Sequence, residues 1–142
     1  MKIMNFKCIM IIFIILCLFS EIKKVGAEEN IKHIIKLGYK ILETSSIDEN
    51  VNILAKLKVK NTSSKPIHGV KAIVLSTNNI TIDINEIYLG NINPKETKES
   101  TETFNLSFKR SASQDSPQRE IVWQIKYSDA NGNLFVEEVI LR

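Results

Sequence analysis

The chain has 142 residues, of which 19 are basic, 16 acidic and two cysteine. Its first 27 residues hold both cysteines (Cys8, Cys17), four of the lysines (2, 7, 23, 24) and one acid, Glu21, so residues 28–142 carry 15 basic and 15 acidic side chains. With that leader set aside, the remainder can build neither a disulfide framework nor a thiolate metal site, and its balanced charge removes the electrostatic case for nucleic acid.

The leader reads as a cleavable secretory signal peptide. Met1 to Lys7 carries Lys2 and Lys7 and no acid. Cys8 to Phe19 is an unbroken apolar run, which is signal-peptide length and short for a bilayer span. A polar stretch from Ser20 to Lys24 then leads to Val25-Gly26-Ala27, where small side chains suit a signal peptidase, and cleavage is expected after Ala27. An uncleaved N-terminal anchor is the competing reading. A lipoprotein would need a small residue before its modified cysteine, and Cys17 follows Leu16. The expected location is extracytoplasmic: periplasm, another membrane-enclosed lumen, or secreted.

Residues 28–142 are the size of one domain, and their apolar period is two. Ile31, His33, Ile35, Leu37, Tyr39 and Ile41 alternate with mostly polar neighbours. Val51, Ile53, Ala55, Leu57 and Val59 do so more cleanly, with Lys56, Lys58 and Lys60 on the opposite face. Phe104, Leu106 and Phe108 repeat the pattern, and Ile121, Trp123, Ile125 and Tyr127 give the strongest strand. One-face alternation marks antiparallel strands with one side in a core and the other in water. The expected strands are 31–42, 51–60, 67–76, 80–88, 100–109, 120–128 and 133–141. Residues 28–37 could instead form a short helix with Ile31, Ile34 and Ile35 on one face, but Gly38, Tyr39 and the β-branched residues favour strand. Gly38 would then mark a bulge where the edge strand crosses between sheets.

Turn chemistry separates these runs at Asn61–Pro66, Thr77–Asn79, Gly90–Pro94 and Ser128–Asn133. Seven short strands at this spacing predict an all-β fold, a single seven-stranded immunoglobulin-like antiparallel β-sandwich over residues 28–142 following the signal peptide at 1–27. Asn61 is expected in a left-handed or side-chain-bonded turn position, and Pro66 and Pro94 at corners that need no ladder donor.

The order of these features resembles a known pattern. Val59-Lys60-Asn61-Thr62-Ser63, then Pro66, the strand from Val70 to Leu75, the Leu89-to-Pro94 turn and the hairpin from Tyr127 to Gly132 are similar to the immunoglobulin-like modules of bacterial exported proteins, the cell-adhesion-related type. The resemblance spans most of residues 45–140 and rests on turn residues, so it implies a fold more than a function. Such modules usually sit in tandem inside large surface proteins. A single module behind its own leader is a poor fit to a spacer role.

Chemistry is sparse. His33 and His68 are the two histidines, neither accompanied by a nucleophile elbow or a glycine-rich phosphate loop, and both read as structural or surface residues. No catalytic, cofactor-binding or metal-binding residue is assigned, and no cofactor is expected. In the run Asp129-Ala130-Asn131-Gly132-Asn133, oxygen-bearing side chains at alternate positions with a glycine among them resemble the start of a calcium loop. Glu137 and Glu138 come too early to close its twelve-residue form, and a hairpin loop is the simpler reading. Trp123 shares a face with Ile121, Ile125 and Tyr127, which makes it a core tryptophan before a sugar-stacking one. Residues 109–119 form a polar loop, read as a hairpin connection or a partner-binding loop. Leu134, Phe135, Val136, Val139, Ile140 and Leu141 put apolar side chains on both faces of the last strand, and strands 31–42 and 133–141 are natural edges able to pair with another chain. Asn61, Asn79 and Asn105 begin Asn-X-Ser/Thr triplets, relevant only in a glycosylating host.

The expectation is therefore a non-enzymatic, exported protein-interaction module. It would be an accessory or scaffold subunit that docks on, or links copies of, a larger extracytoplasmic complex, with a protein partner or self-association through edge strands. A carbohydrate-binding or cell-surface adhesion module, with or without calcium, is the alternative.

Overall fold

The computed structural model describes residues 33–110 and 118–142. The leader with its cleavage site and cysteines, residues 28–32 of the helix-or-strand question, and residues 111–117 of the polar loop lie outside the described residues. Nine strands follow in order: β1 Ile35–Ile47, β2 Asn50–Asn61, β3 Ile67–Asn78, β4 Thr81–Ile82, β5 Glu86–Ile92, β6 Thr97–Glu99, β7 Phe104–Lys109, β8 Glu120–Ser128 and β9 Leu134–Leu141. No helix occurs among the described residues.

Every strand pairing is antiparallel. One sheet runs β1-β2-β7-β4, with β6 also paired to β2, and the other runs β5-β3-β8-β9. The chain changes sheet at β2–β3, β3–β4, β4–β5, β5–β6 and β7–β8, so that two antiparallel sheets face each other as an immunoglobulin-like β-sandwich. The inner faces meet in one core: Leu57 and Val59 from β2 and Phe104 from β7 pack with Val70 from β3 and Trp123 and Ile125 from β8, all essentially sealed from water. Trp123 has no exposed surface, and its indole Nε1–H donates to the Tyr39 hydroxyl at 2.9 Å. Phe104 fits between them, its ring centroid 5.8 Å from that of Tyr39 and 6.2 Å from that of Trp123. Removing so large a buried ring would cost about 3–5 kcal/mol. Trp123 is thus a core residue with its polar atom satisfied.

The strand count differs from seven for two local reasons. The run 80–88 splits because Asp83 leaves the ladder. Its carboxylate accepts the Asn105 backbone N–H and side-chain Nδ2–H, each at 2.7 Å. Beyond that anchor the chain crosses to the other sheet, where Val74 N–H donates to the Asn85 carbonyl. The run 100–109 starts late because Ser100 replaces a strand partner with its side chain. Leu57 N–H donates to Ser100 Oγ at 3.0 Å and Ser100 N–H to the Leu57 carbonyl at 2.8 Å, so β6 ends and β7 begins four residues further on.

Two further expectations are corrected. Gly38 is not a bulge and no sheet crossing occurs there. It pairs in register with Lys58, and the extra residue is Leu42, where the register shifts between Ile41 and Glu43. The turn placed at Gly90–Pro94 begins later, since β5 continues to Ile92. Asn93 and Glu96 close it, with Asn93 N–H donating to the Glu96 carboxylate at 2.7 Å and Lys95 in the left-handed region at φ 64°.

Candidate functional site

The two sheet edges β1 and β9 are joined by a buried carboxylate. Period-two alternation turns Phe135, Glu137, Val139 and Leu141 of β9 inward, so an acid occupies a core-facing position. Glu137 is 5% exposed. Its Oε1 accepts the Tyr127 hydroxyl at 2.6 Å and the Ile34 N–H at 3.3 Å, while Oε2 accepts the Ile35 N–H at 3.4 Å. His33 Nδ1 lies 3.4 Å from Oε2. A carboxylate is an acceptor only, and here three donors converge on it, one from β8 and two from the backbone at the start of β1. Burial, and then Glu137 itself, hold the Tyr127 hydroxyl well above the ordinary tyrosine range. Sequence reasoning considered Glu137 only as a candidate calcium ligand. The available signal was its position on the inward register of β9.

The outward register of β9 is different. Leu134 is 86% exposed, Val136 56% and Ile140 48%. Phe135, on the other register, stacks on Tyr127 with centroids 5.4 Å apart yet remains 43% exposed. Among the described residues, strand β9 pairs with β8 on one side and with no strand on the other, as β1 does beyond β2. The β1–β2 ribbon also carries exposed Ile41, Leu42 and Ile47.

The other candidates have structural partners. Asn61 is fully buried and its side chain knits two turns together. Nδ2 donates to the carbonyls of Lys65 at 2.7 Å, Asn93 at 3.2 Å and Ile92 at 3.3 Å, and Oδ1 accepts from Ser63 N–H and Oγ–H. Of the two expectations for this residue, the side-chain-bonded turn is the one observed. Asp129 Oδ1 accepts the N–H groups of Asn131 and Asn133 at 2.9 Å each, and Oδ2 accepts Asn133 Nδ2–H at 2.9 Å. The side-chain bond from Asn133, followed by the two backbone bonds, holds the Asp129 carboxyl below the usual aspartate pKa range. Gly132 at φ 83° completes a hairpin loop. His68 uses its backbone carbonyl, which accepts Ser128 Oγ–H at 3.4 Å. Among the described residues no three His, Cys, Asp or Glu side chains group as a metal site.

An open depression of about 570 Å³ lies at one end of the first sheet, lined by Asn50, Asn79, Ile80, Thr81, Ser107, Phe108 and Lys109. Its wall is stiffened by Arg119, whose guanidinium lies 4.1 Å over the Phe108 ring and donates to the Lys109 carbonyl at 3.2 Å. Of the expected partner-binding loop 109–119, residues 111–117 lie outside the described residues. No described helix is long and apolar enough to cross a membrane.

Among solved structures, the GAE domain of yeast GGA1 is 13% identical, with 76% of this chain and 90% of that one covered and a TM-score of 0.46. The GAE domain of GGA2p from Saccharomyces cerevisiae is 15% identical, covering 82% and 92%, with a TM-score of 0.41. A FixG-related protein from Vibrio parahaemolyticus is 14% identical, covering 76% and 94%, with a TM-score of 0.32. The strand order of the two sheets, rather than these likenesses, defines the fold. No curated protein sequence matches the chain. A family match runs from residue 2 to residue 99, well over half of the chain, and through β1 to β6. By that match the chain belongs to the seminal vesicle autoantigen (SVA) family.

Proposed function

We propose that the chain is an exported, non-enzymatic protein-interaction module, an accessory or assembly subunit that docks on, or links copies of, a larger extracytoplasmic complex. One observation supports this reading above others: among the described residues β9 is a sheet edge with no strand beyond it, and three of its four outward side chains, Leu134, Val136 and Ile140, are apolar and exposed, with the charged Glu138 between the last two. Exposed apolar edges invite strand pairing, and proteins that do not use them cover or charge them. On this reading a partner strand pairs beside β9 and covers those three side chains. Kinship to the bacterial cell-adhesion-related modules, with export through the 1–27 leader, belongs to the same proposal.

The test is the mass and composition of the native assembly formed by the exported protein, compared with a V136K/I140K double variant. The wild type is expected in a complex of fixed stoichiometry, and the variant as a folded monomer. A wild type that remains monomeric in its own exported fraction overturns the reading.

A second reading, a carbohydrate-binding or cell-surface adhesion module, is favoured by a separate observation: the outer face of the first sheet is rich in lysine. Calcium at Asp129 belongs to that reading as an option, and in the structure Asp129 accepts three hydrogen bonds from its own loop.

A further inference from the structure

The outer face of β1 and β2 carries five lysines. Lys36 stands directly opposite Lys60 and Lys40 opposite Lys56, while Lys58 stands opposite Gly38. Glu99 of β6, opposite Lys58, is the acid within this group, and Lys40 Nζ reaches it at 2.8 Å. Glu43 shares the face beyond the bulge. That hydrogen bond first, and then the charges of Lys40, Lys58 and Lys56, hold the Glu99 carboxyl below its usual range. Like charges directly opposite on neighbouring strands destabilise a sheet. The fold therefore gathers two like-charged cross-strand pairs on one face of a domain whose basic and acidic side chains are equal in number. Blunting of an edge against aggregation accounts for lysines on β1. It does not account for Lys56, Lys58 and Lys60, because β2 lies inside the sheet, between β1 and β6–β7.

Gly38 sits in the middle of this group, and nothing in the fold requires a glycine there. It is not at a positive φ, it is not at the bulge, and a Cβ built on it meets nothing within 4 Å. A glycine inside a strand weakens it and often marks a place where a ligand approaches the backbone closely. Here it leaves bare backbone as a floor, with Lys36 and Lys40 at its two ends and Lys58 along its side.

The dimensions select the ligand. From Lys36 to Lys40 the patch is about 14 Å long, and it is one strand spacing, about 5 Å, across. This long, narrow track suits a linear polyanion better than a flat bilayer or a globular acidic surface. The cations are all lysines, which act as point charges without the planar fork of arginine, and no aromatic side chain of β1 or β2 faces outward to stack a base. An acidic peptide adding to the edge of β1 would lie beside the strand and gain nothing from a bare face at Gly38. A sugar ring resting on that face would.

We propose that this lysine-ringed face binds a linear anionic polysaccharide, sulfated or uronate-bearing, with a ring seated over Gly38 and its acidic groups on Lys36, Lys40, Lys56, Lys58 and Lys60. This rests on the second, carbohydrate-binding reading and is independent of the β9 edge.

The experiment measures binding of the exported protein to heparin and dextran sulfate, with neutral dextran, a neutral glycan array, polyglutamate and single-stranded oligothymidine as comparison probes. The sulfated chains are expected to bind, and to weaken roughly ten- to a hundredfold between 50 and 200 mM salt as a few charges are neutralised. Gly38→Val is expected to weaken binding about tenfold, yet to leave the melting temperature unchanged or higher, since valine favours a strand and has open space here. The K56Q/K58Q/K60Q variant should lose most of the binding while remaining folded. No binding to the sulfated chains at 50 mM salt overturns the proposal, as does a G38V variant that binds like the wild type. Equal binding of polyglutamate or oligothymidine overturns the polysaccharide assignment. Binding of neutral glycans alone overturns the anionic ligand while leaving the carbohydrate reading standing.

Discussion

The Tyr127 hydroxyl donates to Glu137 Oε1 at 2.6 Å across the β8–β9 pair, and the same carboxylate receives the N–H groups of Ile34 and Ile35. One side chain at the edge of the second sheet thereby holds the first turn of backbone entering the first sheet. Without it, those donors would be left at a largely dry rim.

Glu137→Ala should therefore destabilise the domain by about 3 kcal/mol, because several donors lose a charged acceptor at once. Tyr127→Phe, which removes a single donor, should cost about 1–2 kcal/mol. Urea midpoints give both values. Amide exchange should show Glu137→Ala acting most strongly at Ile34 and Ile35; uniform loss of protection would argue against the joint between the edges.

Asn61→Ala should cost about 2–3 kcal/mol, since it removes a fully buried amide and leaves three carbonyls and the Ser63 groups without their partner. Asn61→Asp should be nearly as costly, because the carboxylate cannot donate to the Lys65, Ile92 and Asn93 carbonyls. The same burial predicts that, in a glycosylating expression host, mass spectrometry of the folded secreted protein finds no glycan on Asn61.

Alkali tests the aromatic core. Burial pushes the Tyr39 hydroxyl up to about 12, against a partial lowering by its bond from Trp123. Its folded value exceeds the unfolded value of 10.0. The stabilisation is therefore complete below pH 10 and is lost as the pH rises towards 12. Ultraviolet titration should show Tyr39 and Tyr127 failing to ionise near pH 10, and the melting temperature should fall over pH 10–12. In Tyr39→Phe that fall should be smaller.

Acid tests the anchor that splits the predicted strand 80–88. The bonds from the Asn105 side chain and backbone hold the Asp83 carboxyl below its ordinary value of 3.8. A depressed folded value means that the stabilisation is present above pH 3.8 and is lost as the pH falls through the lower folded value. Asp83→Asn should lower stability at pH 7 by about 0.5–1 kcal/mol, a modest figure because the site is exposed. It should also flatten the dependence of the melting temperature on pH below 4.

Some of this molecule is dictated locally. Alternation along β2, β8 and β9 places Leu57, Trp123 and Val139 inward and Lys56, Lys58 and Val136 outward, because a strand has no other way to arrange consecutive side chains. Asn61, Asn79 and Gly132 stop strands where their backbones or side chains satisfy a turn. The all-β class, the approximate strand limits and the two-faced character of β9 follow from those rules alone. Other features depend on contacts between residues far apart in the chain. Ser100 substitutes for a strand partner only because Leu57 lies beside it, and Asp83 breaks a strand only because Asn105 offers it two donors. Glu137 becomes a joint only when β9 and the start of β1 meet, since a lone acid in an apolar strand does not reveal which donors will surround it. Gly38 is the clearest case. In the sequence it suggested a bulge, the usual reason for glycine in a strand. Tertiary structure moved the bulge to Leu42 and set Lys58 opposite the glycine, between the lysine pairs 36–60 and 40–56. Cross-strand register made that grouping, and register is set by which strands pair, a choice that no single stretch of the sequence contains.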